Sequence, residues 1–163
     1  MNGKQRINAV HGVKGGKTMP QTYYQIWLHI VWSTKDRFPF LSSEIRNKLF
    51  AHIHTIASKK GYHLSMINGI ENHVHCLFSF NPKYSISKMI NEIKGESSHW
   101  LNEQKLLKAK FNWQRGFSVF SVSESNVKNV RNYIKNQEEH HRKISFTEEW
   151  NLLLKKHNVM LDE

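Results

Sequence analysis

Two short segments of this chain combine residue types that can do chemistry. Glu71-Asn72-His73-Val74-His75-Cys76-Leu77-Phe78 sets two histidines around a hydrophobic residue inside an apolar run. Strand side chains alternate, so His-X-His on a strand points both imidazoles to one face. Asn132-Tyr133-Ile134-Lys135-Asn136-Gln137-Glu138-Glu139-His140-His141 sets a tyrosine four residues before an amide. On a helix those two positions share a face, one turn apart. Together the segments could supply a metal site and a hydroxyl nucleophile. Two imidazoles and one amide oxygen leave open positions on a divalent ion, and such an ion can polarise a phosphoryl oxygen. A phenol is a weak nucleophile until activated, its pKa being near ~10. Beside a phosphate held in that way, Tyr133 could attack phosphorus, release a 3′-hydroxyl and remain as a 5′-phosphotyrosine. The covalent link conserves the bond energy for rejoining without ATP. The competing readings are structural. Strand histidines are often half-buried polar groups, and a tyrosine on an amphipathic helix is often a core aromatic.

The elements that must position these residues follow from hydrophobic periodicity. Residues 23–33 alternate, with Tyr24, Ile26, Leu28, Ile30 and Trp32 on one face, which predicts a strand. Lys35-Asp36-Arg37 reads as a turn. Ser42 or Ser43 can cap a helix bearing Ile45, Leu49, Ile53 and Ile56. Residues 62–70 and 73–80 read as two strands, joined at Asn68-Gly69 or by Glu71-Asn72. In the second, Val74, Cys76, Phe78 and Phe80 share a face on which helices should pack, and His73, His75 and Leu77 share the other. Ser85 can cap a helix with Ile86, Met89, Ile90, Ile93 and Leu101 at helical spacing. Phe117 to Val122 is a short strand. Ser123 or Ser125 opens a helix with Val127, Val130, Tyr133, Ile134, Gln137 and His141 along one stripe. Ser145-Phe146-Thr147-Glu148 fits a capping box and begins a last helix with Trp150, Leu153 and Leu154. The order is β-α-β-β-α-β, then α-α. This predicts an α+β fold, a ferredoxin-like split βαβ antiparallel sheet with His-X-His on a central strand and a C-terminal tyrosine-bearing helix.

Composition narrows the partners. The chain has 163 residues, one domain by length, expected to span 19–163. Residues 1–18 show no periodicity and are read as a disordered or foreign extension outside the fold. Twenty-four Lys+Arg against 13 Asp+Glu give a net charge of +11, which favours a polyanion. Eleven histidines and five tryptophans favour nucleic acid, because aromatic faces stack on unpaired bases. The single cysteine, Cys76, excludes an internal disulfide and a cysteine-cluster metal site. No apolar run approaches the roughly 20 residues of a membrane span, and no secretory signal is visible. A cytoplasmic location is expected.

The two chemical segments, taken with the opening, resemble the HUH nucleases. The resemblance is closest to the small single-tyrosine transposases of insertion sequences that move as single-stranded DNA. It runs from Met19 to the C-terminus. Met19-Pro20-Gln21-Thr22-Tyr23-Tyr24 and His29-Ile30-Val31-Trp32-Ser33-Thr34-Lys35 look like the family's opening strand. Asn136-Gln137-Glu138-Glu139-His140-His141 looks like the stretch after its tyrosine. The resemblance implies Tyr133 as nucleophile, with His73, His75 and Gln137 as ligands of Mg²⁺ or Mn²⁺. His140 and His141 are alternative third ligands. It implies single-stranded DNA as substrate, at hairpin ends of a mobile element. It also implies a homodimer in which one subunit's tyrosine helix can complete the other's site. Lys35, Arg37, Trp113 and Arg115 are the expected DNA contacts, combining charge and stacking. His29 is expected either to support a ligand or simply to be buried. Two further readings compete. One is a non-catalytic ferredoxin-like module that binds single-stranded nucleic acid. The other is a domesticated relative acting on chromosomal repeats.

Overall fold

A computed structural model describes residues 22–159. The expected extension at residues 1–18 lies outside the described residues. The elements run β1 (Trp27–Ser33), a 3₁₀ turn (Lys35–Arg37), α1 (Ser43–Lys59), β2 (His63–Ile70), β3 (His73–Ser79), α2 (Ile86–Glu103), β4 (Ser118–Val122), a second 3₁₀ turn (Glu124–Asn126), α3 (Val127–Lys135), α4 (Gln137–His141) and α5 (Phe146–Lys156). The four strands form one sheet in the order β2-β3-β1-β4. All three pairings are antiparallel. This is the split βαβ arrangement expected from the element order, and it makes β3 a central strand.

The alternation of β1 and β3 sorts the two faces. Leu28, Ile30 and Trp32 of β1, with Val74, Cys76 and Phe78 of β3, pack under α1 and α2 in the main core. Cys76 is fully buried there as a small apolar group, and burial pushes its thiol pKa up. The opposite face carries His29, His73 and His75, and it is covered as well. Trp27, Leu77 and Val122 meet Val127, Val130 and Ile134 of α3. Val31 and Phe120 meet Leu153 and Leu154 of α5. The imidazoles therefore sit in a sandwich, and both His73 and His75 are completely excluded from solvent.

Local signals explain most boundaries. The Ser85 hydroxyl accepts from the Lys88 amide and starts α2. Ser145 and Glu148 form the full capping box of α5. Glu71-Asn72 makes the β2–β3 turn, and Gly69 lets it close. A Cβ at Gly69 would lie 2.1 Å from the His73 carbonyl oxygen, so only glycine admits that approach.

Three expectations need correction. The first strand begins at Trp27 and not at Tyr23. The helix start at Ser123 or Ser125 is displaced, since the 3₁₀ turn precedes α3. The single stripe from Val127 to His141 is broken at Asn136, whose φ of −98° and ψ of 24° are not helical. That break separates Tyr133 on α3 from Gln137, His140 and His141 on α4.

Candidate metal and tyrosine site

β3 delivers His73 and His75 with both rings on the sheet face beneath α3–α5. Opposite β3, His29 comes from β1, and its Nε2 lies 2.9 Å from His75 Nδ1. His73 Nδ1 lies 2.7 Å from Asn72 Oδ1, in the turn that precedes it. α4 brings Gln137, which is completely buried, and His141, whose Nδ1 lies 3.0 Å from the Ile144 carbonyl oxygen. Arg46 of α1 holds α4 in place. Its buried guanidinium pairs with Glu138 and donates to the Leu41 carbonyl oxygen.

At the centre lies Glu149, from the first turn of α5 and 1 % exposed. Its Oε2 is 3.3 Å from His73 Nε2, 3.3 Å from His75 Nε2 and 3.0 Å from His141 Nε2. Its Oε1 accepts from the Tyr133 hydroxyl and from Gln137 Nε2, and lies 3.4 Å from His140 Nε2. The ligand atoms of His73, His75, His141 and Glu149 all fall within 4.8 Å of one another. Of these, sequence reasoning missed Glu149. A signal was present: Phe146, Glu149, Trp150 and Leu153 share one α5 face, so an acidic residue interrupts an apolar stripe.

The electrostatics suit a cation. Burial lowers the His73 pKa to about 4 against the pull of Glu149, and burial with the neighbouring His75 lowers His29 to about 3. Both rings are therefore neutral at neutral pH. Burial would raise the Glu149 carboxyl, but the hydrogen bond from His141 and the close imidazoles of His73 and His75 outweigh it and hold the group well below the carboxylate range. Burial lowers and Glu149 raises His141, with a net upward shift. Tyr133 is pushed far up, first by burial and then by the Glu149 charge. His73 Nε2, His75 Nε2 and Gln137 Oε1 are buried without a hydrogen-bond partner. Such orphaned atoms around a carboxylate fit a divalent ion.

All four residues expected at the catalytic centre, His73, His75, Tyr133 and Gln137, converge here within one chain. Tyr133 contacts the histidines edge-on, its ring centroid 5.6 Å from that of His75. A recess of about 340 Å³ reaches Tyr133, His140 and Glu149 from solvent. The expected DNA contacts are elsewhere. Arg37 and Arg115 are exposed and line a groove of about 870 Å³ with Phe117, Phe146 and Trp150. That groove abuts the site through Phe146, whose ring lies 4.4 Å from that of His73. Lys35 and Arg115 line a smaller recess beside it. Trp113 is the exception, because its ring belongs to the core. It is 8 % exposed, packs edge-on against Trp32 and Phe111, and donates from Nε1 to Ser97 Oγ. In this placement it presents no free face to a base. Among the described residues, no helix is long and apolar enough to cross a membrane.

Comparisons with known proteins agree with this architecture. The ISDra2 transposase TnpA of Deinococcus radiodurans is 26% identical over 120 residues, covering 70% of this chain and 85% of that relative. The transposase for insertion sequence element IS200 of Salmonella typhimurium is 29% identical over 126 residues, covering 74% and 82%. Among solved structures, a candidate transposase from Deinococcus radiodurans aligns with a TM-score of 0.59 at 26% identity, over 77% of this chain and 98% of that one. A REP-associated tyrosine transposase bound to a REP hairpin aligns with a TM-score of 0.54 at 18% identity, over 77% and 74%, a likeness of fold. The family profile described as "Transposase IS200 like" matches residues 22–137, from the approach to β1 through Tyr133 to Gln137, and the chain therefore belongs to the IS200-like transposase family.

Proposed function

We propose that this transposase cleaves and rejoins single-stranded DNA at mobile-element ends, with Tyr133 as the nucleophile in a metal-dependent site. The observation that carries this is the convergence of the Tyr133 hydroxyl with His73, His75 and the Glu149 carboxylate in one buried centre. His73, His75 and Gln137 are the expected ligands, and Mg²⁺ or Mn²⁺ the expected ion. A divalent ion held there would polarise a phosphoryl oxygen and offset the Glu149 charge beside the tyrosine. Tyr133 Oη then forms a bond to phosphorus and gives up its phenolic proton to solvent, the source of the proton that the leaving oxygen takes up. The P–O3′ bond breaks, its electron pair leaves with the 3′-oxygen, and that oxygen takes up a proton. The DNA remains as a 5′-phosphotyrosine, and attack by a 3′-hydroxyl on it reverses the step and rejoins the strand.

In the described geometry Tyr133 is not yet ready to attack. Its hydroxyl donates to Glu149, and the high pKa keeps it protonated. The groove bearing Arg37 and Arg115 supplies positive charge and aromatic surface beside the site, which suits an unpaired strand. One fold neighbour is described as bound to a REP hairpin, so hairpin DNA is a suitable first probe. The chain brings its own tyrosine to its own histidines. The homodimer expected from the family is tested separately, by light scattering with and without hairpin DNA.

The test of function is incubation of the protein with labelled single-stranded hairpin oligonucleotides taken from the DNA flanking its gene, in Mn²⁺ or Mg²⁺. A covalent protein–DNA adduct should form with the wild type and be absent with Tyr133→Phe, which should still bind the DNA. An adduct formed equally by Tyr133→Phe would reject Tyr133 as the nucleophile. Binding without any adduct would favour a binding module.

A further inference from the structure

The imidazoles around Glu149 are oriented as ligands. A backbone carbonyl can only accept, so the contact of His141 Nδ1 with the Ile144 oxygen puts the proton on Nδ1. His141 Nε2 lies 3.0 Å from Glu149 Oε2, donating a proton to that oxygen when the ring is charged and offering a lone pair when an ion takes the proton's place. His73 makes the same use of Nδ1, toward Asn72 Oδ1. His75 Nδ1 is engaged by His29. Three ring nitrogens, each with its other nitrogen occupied, thus converge on one carboxylate oxygen. Securing the far nitrogen with a partner is how metal-binding histidines are generally held.

The separations from Glu149 Oε2 have the size of a coordination shell, within a set of ligand atoms that all lie within 4.8 Å of one another. Ligand atoms bound about 2.1 Å from one ion stand roughly 3.0 to 3.4 Å apart, from the octahedral to the tetrahedral limit. The separations of Glu149 Oε2 from the three Nε2 atoms are 3.3, 3.3 and 3.0 Å. The contacts from His73 and His75 are not aligned as hydrogen bonds, and both Nε2 atoms are left without a partner. Only the His141 contact is a hydrogen bond, and the two unpartnered nitrogens packed against a carboxylate in a buried site are stabilised by a cation, a metal ion or a proton, lying among them. Gln137 meanwhile donates its Nε2 to the other Glu149 oxygen.

We propose that Glu149, with His73, His75 and His141, directly ligates the divalent ion, and that Gln137 orients Glu149. The inference rests on the metal-dependent reading above, but it assigns two ligands, His141 and Glu149, that lie beyond the residues matched by the family. It also sets the ion's chemistry. Three imidazoles and one carboxylate suit Mn²⁺, Co²⁺ or Zn²⁺ better than Mg²⁺, which prefers all-oxygen shells.

The test is calorimetric titration of metal-free protein with MnCl₂, ZnCl₂ and MgCl₂, with no DNA and no activity readout. Wild type should bind one Mn²⁺ or Zn²⁺ per chain, at least tenfold tighter than Mg²⁺. Glu149→Gln and His141→Ala should each weaken Mn²⁺ at least tenfold, and Gln137→Ala should weaken it less than threefold. If Glu149→Gln binds Mn²⁺ like wild type while His73→Ala and Gln137→Ala do not, Glu149 is not a ligand and the metal-dependent function stands. If wild type binds none of the three ions, both readings fall. Circular dichroism checks that the variants fold. Should Glu149→Gln not fold, wild type loaded with Co²⁺ decides. Intense visible absorption of a four-coordinate site supports the proposal, and the weak absorption of a six-coordinate, mostly aqueous ion overturns it.

Discussion

His29 Nε2 and His75 Nδ1 lie 2.9 Å apart, with their rings stacked at a centroid distance of 5.2 Å. One of the two nitrogens must carry the proton. If His75 uses Nε2 as a ligand, its proton sits on Nδ1 and His29 Nε2 accepts it. His29 can accept because its pKa is about 3, so it is neutral. With an ion on His75 Nε2, the pairing set by adjacent strands β1 and β3 supplies the acceptor for the Nδ1 proton and so supports the tautomer that leaves Nε2 bare. Loss of such a partner usually costs about 10- to 100-fold in metal affinity. His29→Phe should therefore weaken Mn²⁺ binding by that range while His73 and His75 remain in place. Unchanged affinity would show that the His29 contact is packing alone.

His73→Ala and His75→Ala each remove an imidazole from the centre. DNA cleavage should fall by orders of magnitude in both variants. EDTA should mimic them in the wild type, and added Mn²⁺ should restore activity there alone. Full cleavage in EDTA would dismiss the metal.

Trp113 is a test of core against interface. Its Nε1 bond to Ser97 and its contacts with Trp32 and Phe111 place it inside. Trp113→Ala should cost about 3–5 kcal/mol of stability, as large-to-small core changes do. Urea unfolding measures this. A variant of normal stability with a selective loss of single-strand affinity would return Trp113 to the DNA surface.

Arg37 and Arg115 make the complementary case, being exposed at the groove. If each meets one phosphate, replacing both with Gln should flatten the plot of log K against log salt by about 0.7 per lost contact. An unchanged slope would place the DNA backbone elsewhere.

The metal-free protein should be acid-labile. His29 and His73 have folded pKa values of about 3 and 4, below the ordinary 6.5. Below pH 6.5 the unfolded chain takes up protons that these buried rings refuse, so stability falls with pH. Each group contributes up to about 1.4 kcal/mol per pH unit in that window. Glu149, held below its usual range, acts in the same direction once the unfolded carboxyl begins to protonate near 4.5. His141 is shifted up and opposes the trend in part, its contribution being lost as pH rises past its folded value. The urea midpoint in EDTA should be lower at pH 5 than at pH 7. A higher midpoint at pH 5 would show that the His141–Glu149 pair dominates.

The β-α-β-β-α-β order, the two faces of β3 and the α5 capping box were legible in the sequence, because each depends on neighbours within a few residues. Alternation decides which way His73 and His75 point, and Ser145-x-x-Glu148 satisfies its own amides. Residue type and local spacing were likewise enough to nominate Tyr133 and Gln137. The break at Asn136 was not legible, since the helical stripe continues across it. Nor was the burial of Trp113. That depends on long-range ties, among them the Thr34–Trp113 bridge, the Ser97 hydroxyl, and Lys94 donating to the Gln114 and Gly116 carbonyls. Glu149 is the clearest case. Only the docking of Leu153 and Leu154 on Val31 and Phe120 turns its carboxylate inward, to histidines 76 and 74 positions earlier in the chain. Local pattern settles which face a side chain takes on its own element. Packing between elements distant in sequence settles what that face meets.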